Sequence, residues 1–126
     1  MENYIINLTG FGIDDSYIED INITELKIKR KGDIWNKRTG KKYEENIIRI
    51  SSTTQYEEGF GPAVDNILCK LETISLLSNL FLNCRYVELQ LCIFLDDSNR
   101  VPSIHISLEQ LQRLSKFNAN IDVDIN

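Results

Sequence analysis

The feature that most constrains this chain is a change of hydrophobic period within residues 61–95. Val64, Ile67, Leu68, Leu71, Ile74, Leu77 and Phe81 recur every three or four positions, which aligns them on one side of a helix. The spacing predicts one long helix over residues 63–81, with Pro62 at its start, where the amide that proline lacks would have had no intrahelical partner. From Tyr86 the period becomes two. Val87, Leu89, Leu91, Ile93 and Leu95 share one face of a strand, and Tyr86, Glu88, Gln90, Cys92 and Phe94 share the other. The first face predicts core. The second, with a charge and an amide among aromatics, predicts a surface that is only partly covered.

Around this pair the chain reads as alternating short elements. Tyr4, Ile6 and Leu8 share a face over residues 3–8, a strand that Gly10 and Gly12 are expected to end. A turn or two of helix is expected within residues 14–23, and an edge strand guarded by lysines over residues 26–31. Arg38, Thr39, Gly40 and Lys41 suggest a hairpin turn, residues 43–51 a returning strand, and residues 52–59 a loop. Asp96, Asp97, Ser98 and Asn99 signal another turn before a short strand at residues 101–106. Ser107 and Gln110 have the spacing of a capping box, opening a helix with Leu108, Leu111, Leu114 and Phe117 as its apolar side; Lys116 and Asn118 suit its end. The closing strand separates Ala119, Ile121, Val123 and Ile125, expected to be core, from Asn120, Asp122, Asp124 and Asn126, expected to be wet and acidic.

The expected fold class is α+β: a mainly antiparallel sheet of about five or six strands with two principal helices packed on one face, because strands and helices each offer one apolar surface. At 126 residues, residues 1–126 form a single domain that buries roughly two thirds of its unfolded surface without needing a metal or disulfide.

Ile28, the Lys31-Gly32-Asp33 step, the Arg38-Thr39-Gly40 turn, the strand end from Ile48 to Ser51 and the closing Ile106-Ser107-Leu108, Leu111, Leu114 and Ala119-Asn120-Ile121-Asp122-Val123-Asp124-Ile125 together resemble the bacterial family catalogued as domain of unknown function 4279. The likeness spans nearly the whole chain, and the closing helix and strand are its most specific part. It implies an α+β fold and carries no agreed activity.

No catalytic motif is visible, and the chain is expected not to be an enzyme. A hydrolase brings together a nucleophile, a base and an orienting group, and His105, the one histidine, alternates with Ile104 and Ile106 as a structural or solvent-facing side chain would. Asp14 with Asp15 and Asp96 with Asp97 lie at turn signals, where neighbouring carboxylates diverge. Asp122, Asp124 and Asn126 imitate the start of a calcium loop without its glycine and distal glutamate, and strand alternation accounts for their spacing. Cys69, Cys84 and Cys92 lack zinc-type pairing and are expected to be buried free thiols, Cys92 the most reactive. No metal, cofactor or small-molecule substrate is inferred. No apolar run approaches the roughly 20 residues of a membrane span, and the N-terminus lacks a secretion-signal layout, so a cytoplasmic protein with no membrane partner is expected.

Charge divides the chain. Between Lys27 and Lys42, eight basic residues face only Asp33, a local net charge of +7; six basic and eighteen acidic residues elsewhere give −12. The segment from Lys27 to Tyr43 also carries Trp35, a composition that suits nucleic acid. A nucleic-acid-binding module is therefore the alternative reading, as is a small enzyme of unknown reaction; the carboxylates weigh against nucleic acid unless the fold holds them on the far side. The preferred reading is a protein-binding domain. In size, charge and lack of motif the chain resembles the immunity proteins of bacterial polymorphic and contact-dependent growth inhibition systems, which implies a toxin domain as partner and inhibition by direct binding. Acids fixed on regular structure lose little entropy on docking, so Asp122, Asp124, Glu88, Asp96 and Asp97 are the expected contacts, with Lys29, Arg30, Lys31, Trp35, Lys37 and Arg38 as the alternative basic surface.

Overall fold

The computed structural model describes residues 4–54, 58–94 and 104–125. In order these form β1 (Tyr4–Phe11), α1 (Asp15–Ile18), β2 (Lys27–Lys29), β3 (Ile34–Asn36), β4 (Lys41–Lys42), β5 (Ile47–Thr54), α2 (Gly61–Thr73), α3 (Ser75–Leu82), β6 (Tyr86–Ile93), α4 (Leu108–Ser115) and β7 (Ala119–Ile125). The fold is mixed α and β. Its main sheet has the order β2-β5-β1-β6-β7, antiparallel except that β7 lies parallel to β6, and β3 and β4 form a separate two-stranded hairpin.

One face of the sheet carries the core. Tyr4, Ile6 and Leu8 of β1, Ile48 and Ile50 of β5, and Val87, Leu89, Leu91 and Ile93 of β6 are buried on alternate positions. Against them lie Val64, Ile67, Leu68 and Leu71 of α2 and Leu77, Leu80 and Phe81 of α3, with Ile18 of α1 and Leu114 of α4 in the same cluster. Every helix thus contributes to one side of the sheet, and the other face is left to polar and aromatic side chains.

Several sequence expectations change here. The long helix is two, broken at Ile74, whose backbone is extended. Two β-branched residues, Thr73 and Ile74, meet at the break; the Thr73 hydroxyl adds a bond to the Cys69 carbonyl at 2.7 Å, and the Ser78 hydroxyl takes the Leu71 carbonyl that a continuous helix would give to the Ser75 amide. Among the described residues there are therefore four helices, the expected short one and three in place of the two principal ones. Gly10 does not end the first strand. It lets β1 pass beneath α3, for a Cβ there would sit 2.4 Å from Cys84 Sγ and 3.2 Å from Phe81 Cδ1. The short strand expected at residues 101–106 falls partly outside the described residues, and residues 104–107 have no regular structure.

The capping box is present: Ser107 Oγ accepts from the Gln110 amide at 3.1 Å, and Gln110 Oε1 accepts from the Ser107 amide at 3.0 Å. The helix it opens is rolled differently from its apolar pattern. Leu114 and Phe117 are buried, but Leu108 is 71% and Leu111 41% exposed, while Gln110 is buried against α2, donating to the Gly61 carbonyl at 3.1 Å and to Asp65 Oδ1 at 2.9 Å. The closing strand departs further. Ile121, Val123 and Ile125 are 41–48% exposed instead of core, because β7 is the last strand of the sheet and α2 packs mainly on β5. The thiols are free but not all buried. Cys69 is exposed on the outer side of α2, and Cys84 and Cys92 are half-buried.

Two predictions follow from this packing. Gly10→Ala should lower stability to denaturant by about 1–3 kcal/mol, and by less in a Cys84→Ala background, where the nearest obstructing atom is gone; equal losses in both backgrounds would place the constraint elsewhere. In thiol titration at about pH 8, Cys69 should react first and Cys69→Ser should remove the fast phase. Burial raises the Cys92 pKa, with the Asp124 charge adding to it, and burial pushes Cys84 up to about 12, so Cys84 should react last. Cys92 reacting ahead of Cys69 would contradict the exposures described.

Candidate functional site

The helix-free face of the sheet is ordered by register. Lys27 of β2 pairs with Arg49 of β5, Arg49 with Thr9 of β1, Thr9 with Glu88 of β6, and Glu88 with Asn120 of β7. Since in-register partners point the same way, one row crosses the sheet from cations to an acid. Hydrogen bonds connect its middle. Arg49 Nε donates to Thr9 Oγ1 at 3.1 Å, Thr9 Oγ1 donates to Gln90 Oε1 at 3.0 Å, and Gln90 Nε2 donates to Glu88 Oε1 at 2.9 Å. The Tyr86 phenol donates to the other Glu88 oxygen at 2.9 Å, and this bond, with some burial, holds the phenol above its ordinary pKa.

At the acidic edge, Asp122 pairs with Gln90 and Asp124 with Cys92. Glu88, Asp122 and Asp124 therefore share the open face of adjacent strands; both aspartates are exposed, while Glu88 is half-buried with both oxygens engaged. Their neighbourhood depends on β6 and β7 being adjacent, which no local pattern states. Asp96 and Asp97 lie outside the described residues.

The basic segment is split by the fold. Lys27 and Lys29 stand on β2 at the opposite edge of the sheet, whereas Trp35 lies on β3 and Lys41 and Lys42 on β4. Lys37 and Arg38 occupy the exposed tip, where Asn36 Oδ1 accepts from the Arg38 amide at 3.0 Å. Arg30 serves structure, its side chain donating to the Ile18 carbonyl at 3.0 Å. The hairpin is held to the sheet by buried Asn46, a residue that sequence reasoning did not single out: its Oδ1 accepts from the Lys31 amide at 2.7 Å, and its Nδ2 donates to the Ile13 carbonyl at 2.8 Å and to Asp15 Oδ1 at 2.7 Å. An asparagine amid turn residues gives no sequence signal of such a junction. Between the hairpin and the sheet lies a groove of about 810 Å³ whose lining includes Phe11, Trp35, Lys41, Tyr43 and Arg85.

A second cleft, of about 430 Å³, lies between α2 and α4 and brings Cys69 and His105 to one wall. They are not hydrogen-bonded to each other. Arg113 dominates the cleft, donating from Nε to Glu72 Oε2 at 2.9 Å and standing 3.6 Å from Asp65 and 3.8 Å from Glu109. The Glu72 carboxyl is held below its ordinary pKa by that bond. The arrangement ties α4 to α2. Among the described residues no group of three or more His, Cys, Asp or Glu side chains is placed to hold a metal ion, and no helix is long and apolar enough to cross a membrane.

No curated protein and no solved structure matches this chain. A family model does, over residues 16–126, a span that contains β2 to β7, the cleft between α2 and α4, and every residue named on the hairpin groove except Phe11. By that match the chain belongs to the family described as Domain of unknown function (DUF4279).

Proposed function

We propose that this protein is a non-catalytic binding domain that neutralises a bacterial toxin domain by direct contact, and that the contact is made at the β7 edge. The observation that carries this reading is that β7 is exposed on both of its faces. Asp122 and Asp124 stand in water on one, and Ile121, Val123 and Ile125 are 41–48% exposed on the other. Scattered exposed apolar side chains are ordinary, but Ile121, Val123 and Ile125 stand on alternate positions of one strand and so share one face, and contiguous exposure of this kind marks interaction surfaces. A segment laid along the edge would meet both faces, with apolar side chains over Ile121 and Val123 and cations beside Asp122 and Asp124. A basic protein is the partner that such an edge suits. The backbone that carries the carboxylates is fixed: β7 pairs with β6 along its length, so little backbone entropy is lost on docking.

The test uses a toxin domain encoded beside this protein's gene. Asp122→Asn with Asp124→Asn keeps shape while removing charge, and should weaken binding about tenfold with a shallower salt dependence, leaving the unfolding midpoint nearly unchanged. Titration calorimetry at low and cellular salt reads both. Unchanged affinity together with an unchanged salt slope would remove this edge from the interface, and failure of any neighbouring toxin to bind would remove the proposed function.

A further inference from the structure

The function proposed above uses the acidic edge of the open face, and the opposite half of that face has features it does not need. Trp35 is 51% exposed at the groove between the hairpin and the sheet, with Lys41 Nζ 5.8 Å from its ring centroid. Phe11 and Tyr43 line the same groove, and Tyr86 adjoins it, its ring 5.8 Å from that of Phe11. A smaller recess shares Tyr43 and Ile47 with the groove and is lined by Lys27, Lys29 and Arg49. Cations thus follow one path from the hairpin onto the sheet instead of gathering at a point.

We infer that this path binds single-stranded nucleic acid. An exposed indole beside an ammonium offers a stacking face and a phosphate partner together, the pairing by which single strands are held without sequence readout. The groove is more open to solvent than enclosed, which suits a passing strand more than a small molecule enclosed on most sides. A duplex keeps its bases stacked on one another and cannot present one to Trp35. An acidic peptide would meet the cations but leave the aromatic faces without stacking partners.

Several of the carboxylates that argue against nucleic acid in the sequence stand away from this path, while Asp14 and Asp15 line a recess that shares Glu44 and Glu45 with the groove. Glu88, Asp122 and Asp124 lie on β6 and β7, separated from β2 by β5 and β1. Of the two acids on the groove wall, Glu45 is paired with Arg85 through both oxygens, at 2.8 and 2.9 Å, and Glu44 is the other. The hairpin that carries Trp35 is closed by backbone bonds, Gly32 N to the Tyr43 carbonyl at 3.0 Å and Tyr43 N to the Asp33 carbonyl at 2.9 Å, and the Asn46 side chain ties its base to Ile13 beyond β1, so the two walls of the groove are held together by the chain's own hydrogen bonds.

Trp35 is the single tryptophan of the chain, and its fluorescence reports on the site directly. Titration with short oligo(dT) and oligo(rU) at low salt should quench it saturably, the two arms showing whether DNA or RNA is preferred. Read by anisotropy of a labelled strand, Trp35→Ala should weaken binding roughly tenfold to a hundredfold, whereas Trp35→Phe should keep most of it. Lys41→Gln with Lys42→Gln should reduce the slope of log affinity against log salt by roughly 1.4, the value for two phosphates on a single strand. Circular dichroism of each variant should match the parent, since all three side chains are exposed. Absence of quenching at low salt, undiminished binding by Trp35→Ala, or equal quenching by polyglutamate or by duplex would each overturn the inference; polyglutamate binding alone would reassign the groove to acidic peptides. Asp122→Asn with Asp124→Asn should leave strand binding intact, so this inference and the toxin-binding proposal fail independently.

Discussion

Burial of one face of one sheet beneath α2 and α3 is the constraint on which the rest of this structure depends. β1 lies at the centre, with β5 and β6 as its neighbours, and its inward residues are large until Gly10, where a side chain would meet Cys84 and Phe81. Each large apolar side chain fully buried contributes on the order of 1.5–3 kcal/mol, and the strands and helices divide that burial between them. Because the helices take one side, the opposite side of β1, β5 and β6 is free to carry polar and aromatic groups at little cost to the core.

That free side is organised by electrostatics and hydrogen bonding. Thr9 is fully buried there, covered by the neighbours it bonds, and it passes a hydrogen-bonded chain from the Arg49 guanidinium to the Glu88 carboxylate. A buried hydroxyl is tolerated because it both accepts and donates. The chain also orients its ends, fixing Arg49 against β1 and Glu88 against Tyr86 and Gln90 of its own strand. One surface thereby carries cations toward one edge and carboxylates toward the other.

Buried amides position what lies beyond the sheet. Asn46 joins the hairpin, the end of β1 and the start of α1, and Gln110 joins α4 to the first turn of α2 while completing its own helix cap. Each has its polar atoms occupied, as low-dielectric surroundings require. Gln110 also accounts for the exposure of Leu108 and Leu111: α4 is rolled to bring this amide to Gly61 and Asp65, and two leucines turn outward as a result.

The sequence by itself determined the period of each element, the capping box of α4, the inward and outward residues of β1 and β6, and the separation of a basic segment from an acidic remainder. These are local properties, set by side-chain spacing and by hydrogen bonds that close within a few residues. The α+β class and the mainly antiparallel sheet followed from them. Tertiary structure alone decided that β7 lies parallel to β6, placing Glu88 beside Asp122; that β7 is an edge, leaving Ile121, Val123 and Ile125 half-exposed despite a perfect alternation; and that Phe11, Tyr43 and Arg85 line one groove with Trp35. An alternating strand pairs equally well at the centre of a sheet or at its rim, and an apolar stripe does not specify what covers it, so which faces become surface is settled only when the whole chain competes for the same buried positions.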